Sequence, residues 1–251
     1  MLYIEKKPPS TEIANDIRAI KGTPGWRTAS DAKSIRVYFD LIDKSKLRTQ
    51  LLSEQHGLCA YCMRKIKNDG SSTKVEHYIP LSKDKNKALD YGNFLAVCDG
   101  GEKSEAGGHP VLCCDSAKGD DESLTIDPKN QAMMADIVYS DDGTKIRYAG
   151  KNVRADLINE DLNQKLRLNG ILDEKGNLKY DTASCVVKGR HDTFLIYQGR
   201  VKSLKAKGRL SSASIQKEIN AILSRDQYPE YAGVLLFYYR RIMNRLISQG
   251  K

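Results

Sequence analysis

Missing first of all is any apolar run of membrane length. The longest, Tyr231 to Tyr239, stops after nine residues at Arg240 and Arg241, well short of the ~20 that a bilayer span needs. It is read as a buried helix. The opening residues, MLYIEKKPPSTEI, carry no apolar stretch of the secretory type. These two absences lead to the expectation of a cytoplasmic protein with no membrane partner. Internal repeats and low-complexity tracts are also lacking. What remains is 251 residues of ordinary composition, 40% hydrophobic and 29% charged, with a mean hydropathy of -0.54. That is enough for one large domain, or for a small catalytic module with helical additions.

Charge and cysteine are both present in quantity, and both are unevenly placed. The net charge is +9, and residues 188–251 hold thirteen Lys and Arg against four Asp and Glu, so the rest of the chain is neutral. An acidic partner, most simply nucleic acid, is implied for that C-terminal quarter. The competing reading is a basic helical surface that only aids solubility. Five of the six cysteines fall between positions 59 and 114. Disulfide frameworks belong to small exported chains, so clustered thiols here point to a metal.

Residues 1–28 include KKPPS and KGTPGW and read as an extended arm with turns. Helical spacing begins at Ala29 and continues to Gln55 through Ile35, Tyr38, Leu41, Leu47 and Leu51. VEHYIP and NFLAVC (residues 75–80 and 93–98) read as short strands, DGGEKSEAGGHP as a Gly-rich loop, and CCDSAKGD as a helix start with Asp115 near its N-terminus. Beyond Pro128 a hairpin is expected to turn at Asp142-Gly143. Helices are expected over residues 153–171, 191–208, 212–225 and 229–249.

Cys59-Ala60-Tyr61-Cys62 alone suits a zinc knuckle or a redox pair. Cys98 and the adjacent Cys113 and Cys114 supply the remaining thiolates for the closed tetrahedral arrangement of structural Zn²⁺. The ligands are read as Cys59, Cys62, Cys98 and Cys114, with Cys113 the rival for the fourth place. A thioredoxin-like role would need a βαβ setting, which is absent. Within this frame lies Val75-Glu76-His77-Tyr78-Ile79-Pro80. Adjacent strand residues face opposite ways, so Glu76 and His77 can share a site only where the strand ends. His77 or Asn93 taken singly would be unremarkable. Histidine is scarce, four in all: His56 reads as packing or surface, His109 as a residue of the Gly-rich insertion, and His191, like Cys185, has no recognisable context.

The order C-x-x-C, Glu-His-x-x-Pro, Asn-Phe-Leu, Cys, then Cys-Asp-x-x-Lys-Gly resembles the HNH endonucleases of the ββα-metal fold. Two departures stand out: 15 residues separate Cys98 from Cys114, and Asp115 replaces the usual Asn or His. Over residues 47–128, LLSEQHGLCAYC, VEHYIPLSKD, LDYGNFLAVCDG and CCDSAKGD are similar to the PtuB-type nucleases of Septu and retron anti-phage defence systems. The resemblance implies an α+β fold: a zinc-stapled ββα-metal core at residues 51–128, an N-terminal arm and helix at 1–50 for partner docking, and a mainly helical basic region at 129–251. It implies a prokaryotic, cytoplasmic nuclease that works with a PtuA-type ABC or SMC-like ATPase. In retron versions a reverse transcriptase and its RNA–DNA product join the complex.

On that reading His77 takes the proton from water, Glu76 and Asp115 hold one Mg²⁺ or Mn²⁺, and Asn93 orients the His77 loop as the family's Asn does. Lys118 is either a phosphate contact or an exposed helix lysine. Lys188, Arg190, Arg200, Lys202, Lys205, Lys207 and Arg209 are the expected phosphate-contacting surface. DNA is the first substrate choice and structured RNA such as tRNA the second. The competing functions are an inactive zinc-knuckle scaffold subunit and, more remotely, a thiol redox protein.

Overall fold

Isoleucine spacing and two caps make helices of the N-terminal stretch whose prolines suggest an extended arm. The structure is a computed structural model describing residues 1–102, 105–106, 109–110, 112–119, 122–151, 153–171 and 185–250; the side chains of residues 105, 106, 109, 110 and 185 lie outside that description. Helix α1 (Thr11–Gly22) begins where the Ser10 side chain accepts from the Ile13 amide, and it buries Ile13 and Ile20. Helix α2 (Pro24–Thr28) begins at Thr23, with Pro24 in the first turn, where no amide partner is needed. The prolines therefore punctuate these helices and do not prevent them. Helix α3 (Ala32–Asp40) starts at a reciprocal Asp31–Ser34 capping box and buries Ile35 and Phe39. Helix α4 (Lys44–Glu54), capped by Asp43, buries Leu47 and Leu51.

At the centre, β1 (Thr73–His77) pairs antiparallel with β2 (Phe94–Cys98), setting Glu76 opposite Leu95 and His77 opposite Phe94. The link between them holds α5 (Lys85–Ala88) and a 3₁₀ turn at Tyr91–Asn93. Every residue of β2 is buried, because α4 packs against this hairpin. Two-residue strands β3 (Glu105–Ala106) and β4 (His109–Pro110) pair within the segment expected to be a loop. Helix α6 (Cys114–Lys118) then packs on β2 and completes a ββα unit.

The second half opens with α7 (Gln131–Ala135) and a hairpin of β5 (Ile137–Tyr139) and β6 (Ile146–Tyr148). Its turn is the expected one. Asp142 accepts from the Thr144 amide (3.0 Å), and Gly143 adopts φ +77, which a side chain would strain. Helix α8 (Ala155–Glu160) runs into a π turn at Asp161–Lys165. Helices α9 (Cys185–Ala206), α10 (Ser212–Leu223) and α11 (Ala232–Ser248) follow, and α11 packs on both of the others and on β5. The three stretches expected as separate units are tied together by backbone hydrogen bonds. Ile4 donates to the Pro128 carbonyl and Tyr231 to that of Met63, both at 2.9 Å. The result is a mixed helix-and-sheet fold, about half helical, with small two-stranded sheets. Among the described residues no helix is long and apolar enough to cross a membrane.

Candidate metal centre and adjoining cleft

The C-x-x-C pair sits in a tight hairpin whose backbone is fixed before any metal is considered. The Cys59 amide donates to Arg64 O (2.9 Å) and the Met63 amide to Cys59 O (3.1 Å), with Met63 at φ +66. The chain thereby turns back and aims both thiols inward. Cys98 ends β2, and its amide donates to Cys59 Sγ (3.3 Å); the Arg64 amide donates to Cys62 Sγ (3.5 Å). The fourth sulfur belongs to Cys114. Its left-handed φ of +55 swings the side chain into the cluster, and its amide is held by Leu166 O at 2.9 Å.

The sulfurs of Cys59, Cys62, Cys98 and Cys114 all lie within 4.8 Å of one another, and all four residues are buried. The separations Cys59–Cys114 and Cys62–Cys98 are 3.9 and 3.7 Å. A tetrahedron with Zn–S bonds of ~2.3 Å has edges of about 3.8 Å, so the donor set fits zinc in spacing as well as in softness. Cys113 is buried beside the cluster and is not part of it. Without a cation the cluster holds charge poorly. Burial pushes Cys62 well up, neighbouring sulfurs push Cys114 up, and hydrogen bonds from Cys113 and the others pull Cys98 far down. One thiolate is favoured and its neighbours stay protonated, a condition that a divalent ion reverses.

Along β1 and α6 lies a cleft of about 470 Å³, bordered by Glu76, His77, Asp115 and Lys118. His77 is the last residue of β1; one further in-register bond, from the Tyr78 amide to the Asn93 carbonyl (2.9 Å), closes the pairing, and the chain bends at Tyr78 and Ile79. That ending lets Glu76 and His77 border one cleft. Asn93 is 3% exposed and makes three further bonds: Oδ1 accepts from the Ile79 amide (2.8 Å), and Nδ2 donates to Ile79 O (2.9 Å) and Lys87 O (3.0 Å). It clamps the loop that follows His77.

The His77 ring is packed edge-on against Phe39 and Phe94, at centroid distances of 4.4 and 5.1 Å. Its Nε2 lies 3.1 Å from Ala88 O, which makes Nε2 the protonated nitrogen and leaves the lone pair on Nδ1. Burial, opposed by that hydrogen bond, lowers its pKa to about 4, so the imidazole is neutral at physiological pH.

Glu76 and Asp115 share this floor. Burial, a hydrogen bond with Asp115 and the Asp115 charge push Glu76 well above the usual carboxylate range, and Lys118 only partly offsets them. Lys118 Nζ is bonded to Glu76 Oε1 and lies 4.0 Å from Asp115 Oδ1. Glu76 and Asp115 offer hard oxygen donors of the kind Mg²⁺ and Mn²⁺ take. Among the described residues only the four cysteines group three or more metal-binding side chains. Tyr61, fully buried in the knuckle, has a hydroxyl with no hydrogen-bond partner among the described residues, and its ionisation is opposed by burial and by the Glu76 and Asp115 charges.

Lys118, expected to be exposed or free for phosphate, has only 1% of its side chain exposed, because the Glu76–Asp115 pair demands a buried counter-charge. The basic C-terminal residues border no part of this cleft. Arg190 is buried and donates to the carbonyls of Leu168, Gly143 and Thr144, so it holds the β5–β6 hairpin and cannot reach a phosphate. Lys188 pairs with Asp192 and Arg200 with Glu218. Lys202, Lys205, Lys207 and Arg209 are exposed, and none of the seven borders the cleft. His56 stacks on Tyr228 at 3.8 Å, a packing role. The side chains of His109 and Cys185 lie outside the described residues.

Sequence reasoning missed Lys33, Arg36, Lys74 and Ser82, which border the cleft. It also missed buried Gln55, whose amide bonds Leu58 O, Ala96 O and the Ala96 amide and so joins knuckle to β2. Its position four residues after Leu51, continuing the Leu47–Leu51 stripe just past the end of α4, was the available signal for Gln55. No family model matches the chain, and no curated protein matches it.

Proposed function

We propose that the chain is a metal-dependent HNH-type endonuclease of the PtuB kind, hydrolysing phosphodiester bonds as the toxic effector of an anti-phage defence complex. The observation that carries this reading is the convergence of Glu76, His77 and Asp115 on one cleft whose loop is clamped by Asn93. The reading gains from the four-cysteine cluster in the same ββα unit, since a unit this small needs a staple in place of a core.

His77, kept neutral and oriented by Ala88, takes the proton from the attacking water through Nδ1. Asn93 holds the loop and so fixes where that nitrogen stands. Glu76 and Asp115 would hold a single Mg²⁺ or Mn²⁺, which would supply positive charge for the phosphate and its leaving oxygen. Zinc at Cys59, Cys62, Cys98 and Cys114 is structural and separate. DNA is the preferred substrate and structured RNA such as tRNA the second. The partners on this reading are a PtuA-type ATPase and, in a retron setting, a reverse transcriptase with its RNA–DNA product.

One observation favours a second reading, an inactive nucleic-acid-binding scaffold subunit: Lys118 already occupies the Glu76 carboxylate. The two are separated by incubating the purified chain, alone and with the ATPase, with single- and double-stranded DNA and with RNA in Mg²⁺ or Mn²⁺. Cleavage that falls by a factor of about 100 or more in His77→Ala supports the nuclease. Identical behaviour of the two proteins on every substrate excludes it.

A further inference from the structure

Four cationic side chains border the cleft: Lys33 and Arg36 on α3, Lys74 on β1 and Lys118 on α6. Two are already committed. Lys118 is bonded to Glu76, and Lys74 to Glu102 and to Ser116 Oγ (3.0 Å). Lys33 and Arg36 are exposed, and among the described residues neither forms an ion pair.

We propose that Lys33 and Arg36 of α3 are the phosphate clamp of the cleft, contacting the nucleic-acid backbone beside the bond presented to His77. This rests on the nucleic-acid reading above and assigns the contacts to the N-terminal helix, not to the basic C-terminal helices.

The placement of α3 is the main argument. Its buried face is registered on the catalytic residue, because Phe39, one turn beyond Arg36, packs edge-on against the His77 ring at 4.4 Å. Its start is held by the Asp31–Ser34 box, and the preceding link is held by Lys85 Nζ donating to Ala29 O at 2.6 Å. Lys33 and Arg36 stand one turn apart on the same helix face, so fixing the helix fixes both charges relative to His77. The Arg36 guanidinium lies 5.8 Å from the Phe39 ring centre, over the side of the helix that meets the site.

Arginine suits this task, since its planar fork grips a phosphate through two parallel hydrogen bonds, whereas lysine contributes a mobile point charge. A polyanion entering the cleft finds these two cations without having to break an existing ion pair. Lys202, Lys205, Lys207 and Arg209 border no part of the cleft, so any attraction they exert is long-range.

The test uses His77→Ala protein, which binds without cutting, and a fluorescein-labelled DNA strand and its duplex. Anisotropy is read over a series of KCl concentrations. Arg36→Ala is expected to weaken binding about tenfold and Lys33→Ala severalfold, each lowering the log–log salt slope by about 1. Arg36→Lys should restore the slope but only part of the affinity. Zinc content and thermal midpoint should stay at the parent values, because both side chains are exposed. Unchanged affinity and slope in both alanine variants overturn the proposal, as does competition by poly-glutamate as effective as by unlabelled DNA. If the clamp variants bind weakly while wild type cleaves nothing, the clamp stands and the nuclease reading falls. If wild type cleaves, and the same substitutions made in the wild-type background bind and cut as it does, the nuclease reading stands and the clamp falls.

Discussion

Lys118 and Glu76 form an ion pair on the cleft floor with 1% and 8% of their side chains exposed. Such a pair need not stabilise the fold relative to apolar residues of the same shape, but removing one member strands the other. Lys118→Met leaves Glu76 and Asp115 with no counter-charge, at a cost of about 3 kcal/mol, reduced to the extent that Glu76 takes up a proton. Adding Glu76→Gln should recover much of the loss. Urea denaturation of the zinc-loaded proteins at neutral pH checks both, and a Lys118→Met variant as stable as wild type would contradict the assigned pair.

Adjacent cysteines should behave differently. Cys114 belongs to the four-sulfur cluster and Cys113 does not, although both are buried. Cys114→Ser is therefore expected to lose stoichiometric zinc and to lower the melting temperature sharply, whereas Cys113→Ser retains one zinc per chain. Elemental analysis of chelator-free preparations reads this directly. Treating wild type with a strong chelator should reproduce the Cys114→Ser phenotype, since metal binding and folding of this unit are one equilibrium. Equal zinc in both variants would mean that Cys113 can substitute.

What could be read in advance was what depends on neighbours in the chain. The C-x-x-C turn, the strands around His77 and Asn93 and the Asp142-Gly143 hairpin each carry their instructions within a few residues. The fourth sulfur was harder. Cys113 and Cys114 are set apart by backbone torsion, and Cys114 is selected by the hydrogen bond its amide donates to the carbonyl of Leu166, 52 positions later. Positive charge misled for the same reason. Arg190 is indistinguishable from Arg200 in local sequence, but one is enclosed by carbonyls and the other pairs with a glutamate on the surface. Lys33 and Arg36 carry no local mark of function in the sequence; it is the packing of Phe39 on His77 that places their side of α3 at the cleft. Over residues 11–28 the prolines were weighted above the spacing of Ile13 and Ile20, which prevailed because both side chains have a core to enter.

Asn93 tests whether holding the loop matters separately from holding the fold. Its three side-chain bonds to Ile79 and Lys87 are replaceable only in part. Asn93→Asp keeps the acceptor for the Ile79 amide and loses both donors; Asn93→Ala loses all three. Stability should fall by about 1–2 kcal/mol for Asp and 2–4 kcal/mol for Ala, at roughly 1 kcal/mol per net hydrogen bond plus the stranded polar groups. Zinc should remain bound in both. On the proposed function, cleavage per folded molecule should fall further than binding of the labelled strand, because the loop positions His77 and does not itself grip the phosphate. Equal loss of binding and cleavage would reduce Asn93 to a purely structural residue.

Arg190 separates the structural from the electrostatic share of the basic C-terminal quarter. The side chain is 1% exposed and donates to Leu168 O (2.8 Å), Gly143 O (3.3 Å) and Thr144 O, with Asn169 Oδ1 also in reach (3.3 Å). Lysine has the charge but not the fork, so Arg190→Lys leaves carbonyls unpaired and should cost about 2–3 kcal/mol. Arg190→Met should cost more, since it strands all of them. Nucleic-acid affinity, measured on the folded fraction, should keep the wild-type salt slope in both variants, because a guanidinium enclosed by carbonyls displaces no counterion from a phosphate. The same measurement on Arg36→Ala should show the opposite pattern, with the slope reduced and the stability unchanged. A reduced slope in Arg190→Lys without loss of stability would return this arginine to the binding surface and remove it from the core.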